Sequence, residues 1–350
     1  MLHDRDYGEG KNLHVAPPLS TTLPKTAALR VPGRRATLDS RVPRASVHKA
    51  SDDEVMLSDA DRVADDHFRV TALWHRDHYL GHMNSDVCDP VLLAETARQA
   101  AIHLSHRFYG VPFGHPFVMH ELTVDLDTPL PGLSADAPPV TLETRFHRQG
   151  EGRRIVTTME SVVDVGGRRL GRARVRWAVL DPRRYALLRK RAVTAASPGA
   201  VGGDAAPLAP SRVGHRLDRD VLLAADPAHP GQWWLRLDPR HPVLFDHPSD
   251  HIPGMALVEA FRQMSTVLAQ DAPAAGASAR RHPSALSVAF TSFGELDLPV
   301  RLTAEPADDE EAVPGAVLLL RAVQAERELA HARVRHPALH GTRSRQEAAC

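Results

Sequence analysis

The sequence lacks the means of several common ways of holding a chain together or tying it to a partner. Only Cys88 and Cys350 occur in 350 residues, which excludes a disulfide framework and a thiolate metal cage. No sign of charge predominates: 43 basic side chains face 43 acidic ones, so there is no electrostatic footprint for nucleic acid. Long apolar runs are missing, and the stretch Ala316–Leu320 is far too short to cross a bilayer. The opening residues Met1–Asp6 are charged with no apolar segment behind them, which speaks against a secretory leader. The expectation is a cytoplasmic protein with no nucleic-acid or membrane partner.

Apolar residues at 43% and charged residues at 25% are ordinary for a globular protein, and the length allows two domains that each bury a core. Histidine is abundant, with 21 in all, and His75, His78 and His82 cluster, as do His241, His247 and His251. Imidazole is a common metal ligand, but neither cluster has the ligand set of a familiar site. No metal and no cofactor are expected.

Residues 1–44 mix Pro, Arg, Thr and Ser without a period and read as a disordered arm. The Gly-, Ala- and Pro-rich stretch within 190–212 reads as a linker, and 338–350 as a flexible tail. Between them the chain repeats itself. Residues 88–100, CDPVLLAETARQA, match residues 252–264, IPGMALVEAFRQM, sharing Leu93/Leu257, Glu95/Glu259, Arg98/Arg262 and Gln99/Gln263 at a constant offset of 164. Glu54–Leu57 matches Asp220–Leu223 at an offset of 166, and Ala173–Arg176 recurs as Ala332–Arg335 at 159. Three matches in one order define two units, 45–189 and 213–337, a period that suits two domains rather than a solenoid.

Each unit has a strand-like start, then one helix, then only strands. In the first, Asp89 suits an N-cap and Pro90 the first turn, and Val91 to Leu104 is apolar on nearly every face, which requires burial. Strands are expected at 117–126, 140–146, 155–165 and 168–180, with Gly166-Gly167 as a two-residue hairpin turn. A buried helix followed by an antiparallel meander is an α+β layout in which a sheet wraps a helix. That is a hotdog fold, present twice.

Glu95, Arg98 and Gln99 share one face of the first helix, as Glu259, Arg262 and Gln263 share one face of the second. Ionised groups on a buried helix are costly unless paired or used. Either each Glu pairs with its own Arg and fixes helix packing, or the groups line a crevice between the helices, where a desolvated Glu acts as general acid/base. Gly254, entering the second helix, would open the free N–H groups there to a thioester oxygen. His247, in the preceding turn, is a further acid/base candidate.

The stretches Val47–Lys49, Asp89–Ala100, Tyr109–His115 and Phe117–Met119, with Asp250–Gln263 in the second unit, resemble the A-factor biosynthesis hotdog family over roughly residues 45–337. The resemblance implies an acyltransferase of γ-butyrolactone-type signal biosynthesis. Such enzymes move a β-ketoacyl group from acyl carrier protein to the free hydroxyl of dihydroxyacetone phosphate. In that reaction Arg98 or Arg262 would grip the phosphate, with Gln99 and Gln263 beside them, and Glu95 or Glu259 would take the hydroxyl proton. Pro253-Gly254 and Glu259 are also similar to β-hydroxyacyl-thioester dehydratases, although His247 stands closer to Pro253 than in those enzymes. A dehydratase or thioesterase, and a non-catalytic protein that binds acyl chains or a butyrolactone, therefore stay open.

Overall fold

A computed structural model describes residues 41–81, 87–133, 138–150, 155–193, 205–271, 282–307 and 317–337. Residues 1–40, the linker core 194–204, the tail 338–350, His82 and Cys350 lie outside it. Among the described residues no helix is long and apolar enough to cross a membrane.

The first unit runs β1 (Leu57–Ala64), β2 (His67–Ala72), α1 (Pro90–Tyr109), β3 (Phe117–Leu126), β4 (Val140–Gln149), β5 (Val156–Val165) and β6 (Arg168–Val179), followed by α2 (Pro182–Val193). The second runs β7 (Ala206–Pro207), β8 (Leu223–Ala225), β9 (Gln232–Leu235), α3 (Gly254–Asp271), β10 (Ala285–Phe290), β11 (Arg301–Pro306), β12 (Val317–Gln324) and β13 (Arg327–Arg335). All strands join one antiparallel sheet in the order β1-β2-β4-β5-β6-β3-β10-β13-β12-β11-β9-β8-β7. Apart from the short β7, that order reads the same from both ends, with β1 equivalent to β8 and β6 to β13. The protein is a tandem hotdog whose halves share a continuous sheet through β3 and β10.

Local sequence explains the elements. The Asp89 carboxylate accepts from the Val91 amide at the start of α1, and Gly110 ends the helix with φ 64°. Every α1 residue from Pro90 to Ser105 is buried except Arg98, as the all-round apolar pattern requires. Gly166 and Gly167 turn β5 into β6 with φ 62° and 80°, and the second unit makes the equivalent turn with Ala325 and Glu326 at φ 47° and 59°. Left-handed backbone is costly for those two side chains, so the hairpins around them hold it in place.

Three departures from the sequence expectations concern ends. The chain is already packed at Val42, which is buried and bonded to the Leu57 carbonyl, short of the arm boundary at 44. Residues 206–213, inside the stretch read as linker, form β7 and a 3-10 turn. The helix α2 was not foreseen, because its sequence is basic and lacks a buried face of its own.

Candidate active site

The two glutamines make the same backbone contacts in both halves. Gln99 donates to the Glu54 carbonyl at 2.7 Å and accepts from the Met56 amide at 2.9 Å. Gln263 donates to the Asp220 carbonyl at 2.8 Å and accepts from the Leu222 amide at 2.9 Å. Each thus satisfies a backbone donor and acceptor of the segment leading into its unit's first strand, as buried polar groups must be. Both side chains are 0% exposed, so the substrate contact expected of Gln99 and Gln263 has no open surface at either of them in this structure.

The glutamates and arginines begin alike. Arg98 gives two 2.8 Å hydrogen bonds to Glu95, and Arg262 gives three, of 2.6–3.1 Å, to Glu259. The surroundings then differ. At the position of Lys49 in the first unit the second carries His215, 166 residues on, and the consequences run through both crevices.

In the second-unit cluster everything is sealed. His215 Nε2 lies 2.8 Å from Glu259 and 3.1 Å from Arg262. Arg262 also donates to the Val213 carbonyl and to Thr266 Oγ1 and lies 3.7 Å from Asp89. His78 packs edge-on against His215 with ring centres 4.3 Å apart and stands 3.0 Å from Asp89. Glu259 and Arg262 are 0% and 1% exposed, so they do not line the crevice that sequence reasoning assigned to them. The ligand atoms of His78, His215 and Glu259 lie within 4.8 Å of one another, a spacing a metal could use. The Arg262 guanidinium, at 2.6 and 3.1 Å from two of those atoms, already occupies the cation position. Burial pushes the Asp89 carboxyl up to about 6, with Arg262 opposing and the Glu259 charge adding to the rise; burial and Arg262 hold His78 well below its ordinary value.

The first-unit cluster faces open space. A cavity of about 610 Å³ lies between the units, with Arg98, Lys49 and Tyr79 on one side and Asp246, His247 and Gly254 on the other. Polar contacts cross it in a chain. Lys49 Nζ is 3.3 Å from Glu95 and 4.0 Å from Asp246, and Asp246 holds His247 Nδ1 at 2.7 Å and the Ala50 amide at 3.0 Å. Burial alone would raise the Asp246 pKa, but the bonds from His247 and Ala50 with the Lys49 charge hold it below the usual carboxylate range. Glu95 is likewise held well below that range: Arg98, Lys49 and Gln99 outweigh its burial. A carboxylate stabilised to that degree is a poor proton acceptor. His247 is different, since half of its side chain is exposed and Asp246 fixes the ring through Nδ1.

Elsewhere the lining is mostly apolar, with Phe117, Met119, Trp177, Leu257 and Phe290 among its walls, and Ser249, His251 and Arg327 among its polar members. Gly254 opens α3 at the floor, and a Cβ there would come 3.2 Å from Met119 and 3.3 Å from Phe290. The Ala256 amide is taken by the Pro253 carbonyl at 2.9 Å, so the donors this end of α3 can offer to an anionic oxygen are the amides before it, at Gly254 and Met255. His48 also lines the space; burial and the nearby Arg98 lower its pKa to about 4, so it is neutral at physiological pH. Of the residues expected from sequence, Arg98, His247 and Gly254 line this cavity and Glu95 lies behind Arg98, while Lys49 and Asp246, which join them, were not among the expected residues. The offset of 166 that places His215 opposite Lys49 was the available signal.

The family description "A-factor biosynthesis hotdog domain" matches residues 33–181 and 197–339. Three relatives share the name 2-oxo-3-(phosphooxy)propyl 3-oxoalkanoate synthase. The one from Streptomyces virginiae is 35% identical over 271 residues, 77% of this chain and 88% of that one. The Streptomyces coelicolor relative is 33% identical, covering 76% and 82% of the two chains. The Streptomyces griseus relative is 30% identical, covering 76% and 87%.

Proposed function

Because the chain belongs to the A-factor biosynthesis hotdog family, we propose that it is the acyltransferase the names of its relatives describe, joining a 3-oxoacyl group to a phosphooxy-bearing three-carbon alcohol. The acceptor is dihydroxyacetone phosphate, and the donor is a β-ketoacyl thioester of acyl carrier protein. The observation that carries this reading is the contact chain Arg98–Glu95–Lys49–Asp246–His247 along one apolar-walled cavity. It puts cations and a held imidazole within one substrate's length of each other.

In this reading the acyl chain lies against Phe117, Met119 and Phe290, with the thioester carbonyl at the N-terminus of α3. Arg98, whose Nε and one Nη2 bond are taken by Glu95, keeps donors for the phosphate, and Lys49 adds a second charge. The acceptor hydroxyl oxygen attacks the thioester carbon while His247 Nε2 removes its proton. The carbonyl becomes an oxyanion held by the first amides of α3. Its collapse re-forms the carbonyl, breaks the C–S bond, and returns the proton from His247 to the thiolate. One ester forms, one thioester is lost, and no covalent acyl-enzyme is required. Glu95 is a positioning residue that fixes Arg98 and Lys49.

The test is to incubate the protein with β-ketoacyl carrier protein, with and without dihydroxyacetone phosphate. The expected product is the phosphorylated ester, formed only with the acceptor. Free β-keto acid formed equally without acceptor would make the protein a thioesterase, and no turnover would leave a binding protein.

A further inference from the structure

We propose that Trp177 is the end stop of the acyl pocket and so sets the length of chain the donor can carry; this rests on the acyl-transfer reading above. The 610 Å³ cavity runs inward along the first unit. On α1 its wall passes from Arg98 to Ala101 and Ile102, and on β6 from Val175 to Trp177. A second cavity of about 190 Å³ takes up both elements where the first leaves them, with Ser105 and Tyr109 on α1 and Val179 on β6. Arg98, Ile102, Ser105 and Tyr109 stand at i, i+4, i+7 and i+11, one stripe of the helix. Val175, Trp177 and Val179 alternate onto one face of the strand. The two cavities are therefore in line, along roughly 16 Å of α1.

Trp177 stands where one cavity gives way to the other. It borders the first and packs edge-on against Phe146, with ring centres 5.3 Å apart, and Phe146 lines the second. Across the sheet its register partners are Met119 on one side and Thr157 on the other. Met119 belongs to the first cavity and Thr157 to the second. The side chain is 2% exposed, and its indole N–H has no hydrogen-bond partner among the described residues, so packing alone fixes the ring. An acyl chain whose thioester sits at Gly254, beside Met119, meets this indole as it extends inward. Each methylene that gains apolar wall is worth roughly fourfold in binding, until the chain presses on a packed ring and overfills the pocket. The pocket so bounded accepts 3-oxoacyl chains that end before the indole and rejects longer ones.

The test is a length series of 3-oxoacyl N-acetylcysteamine thioesters, from 3-oxohexanoyl to 3-oxotetradecanoyl, with saturating dihydroxyacetone phosphate. It is given to the full chain, to Trp177→Leu and to the milder Trp177→Phe, with melting checked for each. Wild-type kcat/KM should rise by roughly fourfold per methylene to an optimum and then fall by roughly tenfold or more. Trp177→Phe should move that optimum to a longer chain and Trp177→Leu further, with KM for dihydroxyacetone phosphate unchanged. Ser105→Leu, which fills the second cavity, should leave the wild-type profile as it is and cancel the gain of Trp177→Leu. A wild-type profile that stays level with length overturns the proposal whether or not the variants fold. So does an unmoved optimum in folded Trp177→Phe or Trp177→Leu. Failure of the wild type to transfer any acyl group would instead sink the acyl-transfer reading. Calorimetric binding of the same thioesters would then still decide the end stop, by whether affinity breaks off at one length and Trp177→Leu moves the break.

Discussion

The hydroxyls of Thr123 and Ser287 meet at 2.9 Å across the join of the two halves, and the residues are 164 positions apart in the chain. That offset is the one relating Glu95 to Glu259. A residue paired with its own repeat partner lies on the two-fold axis relating the repeats, so the axis passes between β3 and β10 at this pair. It brings the start of each helix to the ion pair of the other. The protein thus has two crevices of equal ancestry, and the side chains placed in them decide their fates. Lys49 and the exposed His247 line the open one; His215, His78 and Asp89 fill the other.

Glutamine at the two glutamates should therefore have opposite effects. Glu259→Gln removes the main charge partner of a 1% exposed Arg262 and should cost roughly 3–5 kcal/mol of stability, while the folded fraction keeps its transfer rate. Glu95→Gln releases Arg98 and Lys49 into the cavity and should cut transfer with a smaller fall in melting temperature. Melting curves beside transfer rates for both variants decide it. Loss of activity in Glu259→Gln at unchanged melting would mean that the sealed cluster is a working site.

Arg98→Lys tests which substrate the guanidinium serves. Lysine keeps the charge but loses the fork that Glu95 now holds. KM for dihydroxyacetone phosphate should rise by roughly tenfold or more, the value of one charge-assisted hydrogen bond, with KM for the acyl donor little changed. A larger effect on the donor would move the phosphate elsewhere.

Much of this is legible in the sequence itself. The repeat, the two buried helices with the caps of α1, and the strands of the first unit follow from periodicity and turn residues, which act locally. The division of labour between the crevices was not legible, because it depends on which loop residue meets which helix across the dyad. Glu95 and Glu259 look alike in sequence, yet Lys49 and His215 give them different neighbours. The helix α2 was hidden for a related reason: its stability comes from Asp250 and Glu295, 61 and 106 residues away.

Acid should destabilise the fold from an unusually high pH. Burial, aided by Arg98, Arg76, Arg107 and Arg262 respectively, lowers His48, His75, His103 and His282 to about 4. These rings stay neutral in the folded state while the unfolded chain protonates them near 6.5. Their stabilisation is complete above about pH 6.5 and is lost as the pH falls toward 4. Asp89, raised to about 6, has the opposite sign and offsets one proton of that loss below pH 6. The melting temperature should fall continuously from pH 6.5 to 4.5. A flat profile over that range would show that the histidines are not buried as described.

The last prediction concerns the proton. If His247 is the base, His247→Gln should lower transfer by roughly 10²–10⁴-fold and leave melting unchanged, because half of its side chain is in solvent. Asp246→Asn makes a sharper test. Asp246 now accepts from the Ala50 amide with one oxygen and from His247 Nδ1 with the other. An asparagine must keep its single oxygen on the Ala50 amide, which always carries a hydrogen, and so turns its NH₂ toward His247. The ring then has to accept at Nδ1, which puts its proton on Nε2, where the acceptor hydroxyl needs a lone pair. The variant should match the loss of His247→Gln although every heavy atom stays in place, and ¹⁵N shifts of the His247 ring should report the changed tautomer. Full activity in both variants would remove the dyad from the mechanism. Given how firmly Arg98 and Lys49 hold Glu95 in its charged form, the proton would then have to leave by way of water rather than the helix carboxylate.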